Sequence, residues 1–163
     1  MRKILIFGNS GSGKSTLAKE LCDQFELAHL DLDILAWRTT TAPAELPIRA
    51  PIEESNSAII DFIQSNKEWV IEGCYTDLLE CSATFANEIV FMNLPIEACI
   101  LNARKRPWEP HKYQSKEAQD ENLELLLKWI AHYDQRTDTF SKQSHQRFYD
   151  SFLGKKTRYE SND

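Results

Sequence analysis

"GNSGSGKST" runs from Gly8 to Thr16. Gly8, four residues, and then Gly13-Lys14-Ser15 match the pattern G-x-x-x-x-G-K-[ST]. Each residue type has a physical task in holding phosphate. Glycines let the backbone curl until several N–H groups face one anion. A helix starting at the loop adds the partial positive charge of its N-terminus. Lys14 brings a mobile ammonium to the outer phosphates, and the Ser15 hydroxyl is a small hard ligand suited to Mg²⁺. In a chain of 163 residues a chance match arises in on the order of one chain in a hundred. The flanks tighten the reading. Ile4-Leu5-Ile6-Phe7 is a fully apolar run, as expected of a strand buried on both faces of a parallel sheet. Leu17, Leu21 and Phe25 recur at i, i+4, i+8, which predicts an amphipathic helix. The rival dinucleotide pattern, starting at Gly11-Ser12-Gly13, fails because position 16 is threonine. Gly8, Asn9, Ser10, Gly11, Ser12, Gly13, Lys14, Ser15 and Thr16 are therefore the expected phosphate-binding stretch.

Outward from the loop, apolar runs and helical patterns alternate. Ala28 to Leu32 reads as a second strand, and Arg38 to Pro51 as irregular, with Pro43, Pro47 and Pro51 spaced through it. A helix is predicted over 52–66 with Ile59, Ile60 and Ile63 inward. Trp69-Val70-Ile71 and Ile89-Val90-Phe91-Met92 read as further strands. Pro95 sits where a helix to about Lys105 begins. Arg106 to Ser115, with Pro107 and Pro110, reads as a loop. Leu123, Leu126, Leu127 and Ile130 mark another helix, Phe140 to Phe152 a last one, and Lys155 to Glu160 an edge strand. This alternation predicts one α/β domain over 1–163 with a five-stranded, mostly parallel sheet. Ligands of such sheets bind beyond the carboxyl ends of the strands.

Composition narrows the function. Hydrophobic residues make up 42% and charged ones 27%, enough for a core and a polar surface. The net charge of −6 argues against a general nucleic-acid binder, whose sequence-independent affinity comes from cationic surface. Cys22, Cys74, Cys81 and Cys99 form no C-x-x-C pair, so reduced thiols are expected and zinc is not. The apolar run at Ile4 to Phe7 is too short for a secretory leader, and no stretch reaches membrane-spanning length. The expectation is a cytoplasmic protein, monomeric, with no membrane partner.

Several charged residues stand just after predicted strands. Asp31 and Asp33 in "HLDLD" are two apart, and an extended strand would aim both to one side. One could order Mg²⁺ through water, and the other could orient an acceptor hydroxyl; capping of the next turn is the structural alternative. Glu72, closing "WVIEG", is a third acid within reach of a cation beside Ser15. Arg104, Lys105 and Arg106 end the helix after the fourth strand, where cations also suit the helix dipole, and Lys112 lies just beyond. With Pro107 and Pro110 they predict a small cationic lid around 104–116. Arg49 and Arg136 are lone arginines that could supply countercharge.

Taken together these residues resemble the small P-loop kinases typified by shikimate kinase and adenylate kinase. "GNSGSGKSTLAKEL" and "HLDLD" are similar to shikimate kinases, which place a D-x-D pair about as far beyond the loop lysine as the 17 positions from Lys14 to Asp31. "VIEGCY" and "VFMNLPIEACILNARKR" look like the third-strand and lid-helix segments of adenylate kinases, and "RTDTF" resembles their arginine-plus-aromatic segment after the lid. The overall pattern is similar to bacterial proteins described as DNA topology modulation or adenylate-kinase-related. The resemblance implies a three-layer α/β/α P-loop NTPase fold of nucleoside-monophosphate-kinase type. It implies an ATP- and Mg²⁺-dependent phosphotransferase acting on a hydroxyl of a small anionic metabolite. It assigns Lys14, Asp33, Arg104 and Arg106 to catalysis and Ser15, Asp31 and Glu72 to the metal. Asp33, Arg49, Gly73, Tyr75 and Arg136 fall to the acceptor. Gly73-Cys74-Tyr75 replaces the glycine run of shikimate kinases, so shikimate is not the expected acceptor. A nucleotide-dependent regulatory protein and a plain NTP hydrolase stay open as alternatives.

Overall fold

The computed structural model describes residues 1–38 and 48–163. The first half of the chain runs β1 (Lys3–Gly8), α1 (Lys14–Phe25), β2 (Ala28–Asp31), α2 (Asp33–Ala36), β3 (Trp37–Arg38), β4 (Ile48–Arg49) and α3 (Ile52–Ser65). Then follow β5 (Trp69–Gly73), α4 (Thr76–Ala83), β6 (Glu88–Met92), α5 (Ile96–Arg104), α6 (Lys116–Ala131), α7 (Lys142–Ser151) and β7 (Lys155–Tyr159). Five strands form one sheet in the order β2-β5-β1-β6-β7. Each neighbouring pair is parallel.

β1 takes the centre because both of its faces are apolar. Leu5 and Phe7 point to one side, into a cluster with Trp69, Ile71 and Phe91 from the sheet and Ile59, Leu78 and Phe148 from α3, α4 and α7. Ile4 and Ile6 point to the other, against Val70 and Val90 and against Ala18, Cys99 and Ile130 from α1, α5 and α6. The period-two alternation thus builds the three-layer sandwich from a run with no polar residue. Each fully buried side chain of this kind contributes roughly 1.5–3 kcal/mol, and Ile4 through Phe7 are all wholly buried. Ile6→Asp would place an unpaired carboxylate in that core and unfold it.

The predicted strands and long helices are present, within a residue or two at their ends. Three elements differ. Thr76–Ala83 forms α4, which no periodicity announced: eight residues are too few to establish a helical pattern. Asp33 does not extend the strand of Asp31; it opens the one-turn helix α2, so the pair is not side by side on one strand. Around the expected irregular stretch, Trp37 pairs with Arg49 and Arg38 with Ile48 in a short antiparallel ladder. Pro43 and Pro47 lie outside the described residues.

The parallel order brings the carboxyl ends of β1, β2 and β5 together. In register, Ile6 stands beside Glu72 and Phe7 beside Gly73, while Asp31 stands beside Glu72 on the other side. The phosphate loop and the strand-end acids therefore share one edge of the sheet.

Candidate active site

The loop leaves β1 at Gly8 and enters α1 at Lys14. Gly11 and Gly13 adopt φ of +77° and +90°, in the left-handed region that side chains avoid. A Cβ on Gly11 would strike the Cys99 carbonyl, and one on Gly13 would sit 2.7 Å from the Asn162 amide nitrogen. The loop is anchored from outside. Asn102 donates to the Gly11 carbonyl at 2.8 Å and Asn162 to the Ser12 carbonyl at 3.1 Å. Asn9 donates to the Ile130 carbonyl at 3.2 Å, and Lys14 Nζ reaches the Asn9 carbonyl at 2.7 Å. The first turn of α1 carries no acidic residue, and no side chain caps it. Its N-terminal partial charge is left for an anion.

Beside the loop, the Ser15 hydroxyl donates to Glu72 Oε1 at 2.7 Å. Glu72 is buried, and His29 Nε2 lies 3.3 Å from the same oxygen. That hydrogen bond, more than any other influence, raises the His29 imidazole above its ordinary pKa. Asp31 is buried, and burial, then repulsion from Glu72 and Asp33, raises its carboxyl. Asp31 Oδ1 accepts the Asp33 N–H at 2.9 Å, so the aspartate does cap the turn into α2. Two side chains reach the Asp33 carboxylate, and a third supports one of them. The Tyr75 hydroxyl donates to its Oδ1 at 2.6 Å, Trp37 Nε1 donates to that hydroxyl at 2.8 Å, and Lys112 Nζ is 2.7 Å from its Oδ2. Burial would raise the Asp33 carboxyl, but the charge of Lys112 and the two hydrogen bonds outweigh it and hold it low. Burial also raises Tyr75, which stays a donor.

A cavity of about 920 Å³ joins these groups, within the size of small-molecule sites. On one side it is lined by Ser10, Gly11 and Gly13 to Thr16 of the loop, Asp33, Glu72 and Gly73; on the other by Lys105, Arg106, Glu109 and Lys112 of the α5–α6 connection. Asn102, Tyr159, Ser161 and Asn162 close the end near Gly13. The structure thus brings most of the loop, Asp33, Glu72 and part of the cationic connection to one cavity, while Asp31 and Tyr75, both buried, do not line it.

Three arginines differ from expectation. Arg104, in the last turn of α5, is exposed and does not line the cavity, whereas Lys105 and Arg106 do. Arg49 is an expected acceptor contact, but it pairs with Asp77 at 3.2 Å and donates to the Ala36 carbonyl. Its guanidinium lies among the rings of Tyr75, Phe140 and Trp37. Arg136 is expected to face acceptor or phosphate; its guanidinium lies 3.6 Å over the Trp129 ring and donates to the Trp129 carbonyl. Both cations are taken up by aromatic faces and nearby oxygens of the same chain.

Sequence reasoning placed Lys112 with the lid but gave it no contact, and missed Glu109, His111, Asn102, Asn162 and His29 as site residues. The i, i+3 pair Glu109–Lys112 was the one readable signal, and their nitrogen–oxygen distance is 3.2 Å. The others are joined to the site only through distant contacts. The cysteines are free thiols. Burial pushes Cys74 up to about 12 and Cys99 up to about 11, so neither serves as a thiolate near neutrality. Among the described residues no group of three or more His, Cys, Asp and Glu stands assembled for a metal, and no helix is long and apolar enough to cross a membrane.

A glycine loop at the carboxyl end of a central parallel strand, opening a helix free of acidic caps, defines a class: a P-loop nucleotide-binding protein of the kinase type. Residues 4–124 match the model of the AAA domain family, and the chain belongs to that family. A curated relative, Uncharacterized protein YqaC of Bacillus subtilis (strain 168), is 25% identical over 136 residues, 82% of this chain and 73% of the relative. Among solved structures, a gluconokinase from Sinorhizobium meliloti 1021 matches 99% of this chain and 83% of its own, with a TM-score of 0.50 and 15% identity. That likeness is one of fold.

Proposed function

We propose that the protein is a phosphotransferase that moves the γ-phosphoryl group of ATP to a hydroxyl of a small metabolite. One observation carries the reading: Lys14 and Asp33 line the same cavity, a phosphate cation facing an acceptor-side carboxylate. A hydrolase would have no evident use for the Trp37–Tyr75–Asp33 chain of hydrogen bonds. The similarity of fold to a gluconokinase is in keeping with a small-molecule acceptor.

In this reading the loop and Lys14 hold the β- and γ-phosphates. Asp33 accepts the proton of the acceptor hydroxyl as its oxygen bonds to the γ-phosphorus. The bond from that phosphorus to the bridging oxygen breaks, and ADP leaves with the electron pair. Arg106 and Lys105 neutralise charge on the transferred group, and the α5–α6 connection serves as the lid that excludes water. Asp33 and Gly73 form the acceptor wall, with the buried Tyr75 hydroxyl behind Asp33. Arg49 braces that wall through Asp77.

The residues fit Mg²⁺. The Ser15 hydroxyl and the Glu72 carboxylate already touch at 2.7 Å, and Asp31 is the strand neighbour of Glu72. Such a sparse oxygen set suits an ion that keeps waters and takes the rest of its ligands from phosphate. Bound there, Mg²⁺ would neutralise the phosphates of the nucleotide. With Arg49 and Arg136 engaged elsewhere, Lys105 and Arg106, the latter 3.2 Å from Glu109 Oε1, are the lid cations beside an anionic acceptor.

A screen of hydroxylated metabolites for ATP consumption, with the product mass measured, tests the proposal. A product heavier than one acceptor by a phosphoryl group supports it. Brisk ATP hydrolysis without any acceptor, unaffected by Asp33→Asn, would overturn it.

A further inference from the structure

The acidic end of the cavity already contains a cation of the protein's own. Lys112 Nζ lies 2.7 Å from Asp33 Oδ2, 3.3 Å from Asp31 Oδ2 and 3.2 Å from Glu109 Oε2. The side chain is largely buried, and its three carboxylate partners raise its pKa despite that burial, so it is an ammonium at any physiological pH. Arg106 Nε lies 3.2 Å from Glu109 Oε1, so the three carboxylates face one ammonium and one guanidinium, and one negative charge is left unmatched. His111 approaches the same cluster, 3.8 Å from Asp31 and 3.6 Å from Glu109. Meanwhile the connection that carries Lys112 is tied down behind it: Gln119 of α6 accepts the Glu109 N–H at 2.8 Å and donates to the Pro107 carbonyl at 3.0 Å. The lysine is held over the acids by a braced loop.

We propose that Lys112 is a resident cation of the acidic seat, which a divalent metal must share or displace, so that lid position and metal binding are linked. The proposal rests on the phosphotransferase reading for the identity of that seat. Lys112 bridges Asp31 and Asp33 and holds the lid to the acceptor wall. When a divalent ion settles beside Asp31 and Glu72, its positive charge repels the ammonium. Asp33 is then released from one of its partners to face an acceptor hydroxyl. Lys112 acts on the metal and on Asp33 through charge, so it is a positioning residue.

The test is the affinity of the nucleotide-free protein for Mn²⁺, read by the loss of the free-ion electron paramagnetic resonance signal, with no turnover involved. Lys112→Met should bind Mn²⁺ about tenfold more tightly than the unaltered protein. That is the scale of a single and a double charge about 5 Å apart at the dielectric of water. Lys112→Arg, which keeps the charge, should bind Mn²⁺ as weakly as the unaltered protein; it also stands as the charge-preserving control for any loss of packing. Equal Mn²⁺ affinity in the unaltered protein and Lys112→Met would overturn the proposal. If Lys112→Met fails to fold, Lys112→Gln carries the same expectation. ATP added without metal should raise the melting temperature of every variant. Failure of that rise would sink the nucleotide reading, while the Mn²⁺ comparison would still decide the role of Lys112.

Discussion

At the phosphate loop the carbonyls of Gly11 and Ser12 are held by the neutral amides of Asn102 and Asn162; at the acceptor end the carboxylates of Asp31 and Asp33 are held by the Lys112 ammonium. The difference follows from what each end must do. Neutral side-chain bonds to backbone carbonyls fix a shape without adding charge, so the field of the α1 N-terminus and Lys14 stays available to phosphate. An ion pair can be exchanged for another cation when one arrives, so the acceptor end can change its partners. One end is prebuilt, and the other is balanced to be rearranged.

The comparison breaks most visibly at Lys14. Lys14→Ala should cost roughly 10³-fold or more in turnover. It should also abolish the rise in melting temperature that Mg-ATP gives, while the melting temperature without ligand stays unchanged. Among the described residues its ammonium hydrogen-bonds the Asn9 carbonyl, a contact within the loop itself, so the fold does not depend on it. A ligand-induced rise equal to that of the unaltered protein would show that the loop is not a phosphate site.

At the other end, Asp33→Asn should lower turnover with an identified acceptor by about 10² to 10⁴ and leave the ATP-induced rise intact. The two variants would then separate the ends cleanly: one loses nucleotide, the other loses only chemistry. Near-normal turnover in Asp33→Asn would reduce Asp33 to a helix-opening residue.

Between the ends lies a buried bridge. His145 is wholly buried, its Nδ1 2.7 Å from the Tyr133 hydroxyl and its Nε2 2.8 Å from the Cys74 carbonyl, directly after Gly73. Burial lowers its pKa to about 4. The unfolded chain takes up a proton near pH 6.5, but the folded one does not until about pH 4. Stability should therefore be flat in this respect above pH 6.5 and fall by about 3 kcal/mol as the pH drops to 4. Chemical denaturation across that window measures it, with His145→Gln as the comparison; an unchanged slope in that variant would assign the loss to other groups.

The smallest effect is expected at the neutral brace. Asn162→Ala removes a half-buried hydrogen bond to the Ser12 carbonyl, worth about 1 kcal/mol, together with an exposed one from Asn102, and should weaken ATP binding about fivefold with no change in the acceptor KM. Calorimetric titration with ATP checks it. A larger loss, or one confined to the acceptor, would mean that the loop end is less prebuilt than its contacts imply.

The phosphate loop, the central strand and the order of strands and helices were legible in the sequence, because each is a local pattern. Glycine at Gly8, Gly11 and Gly13, alternation along Ile4 to Phe7, and helical spacing from Leu17 to Phe25 need no knowledge of distant residues. Asp31 and Glu72 were legible by their place at strand ends, since a parallel sheet gathers those ends at one edge, whereas the turn that carries Asp33 into α2 was not. The roles of the cations were not. Arg49, Arg136 and Lys112 look alike in sequence, yet each is decided by what folds beside it: Asp77 and three rings, Trp129, or three carboxylates. A long flexible cation takes whichever oxygen or aromatic face the tertiary structure brings within about 4 Å, and no local pattern encodes that choice. The sequence determined that a phosphate site exists; only the packing of the α5–α6 connection over β2 decided which cation guards the acids opposite it.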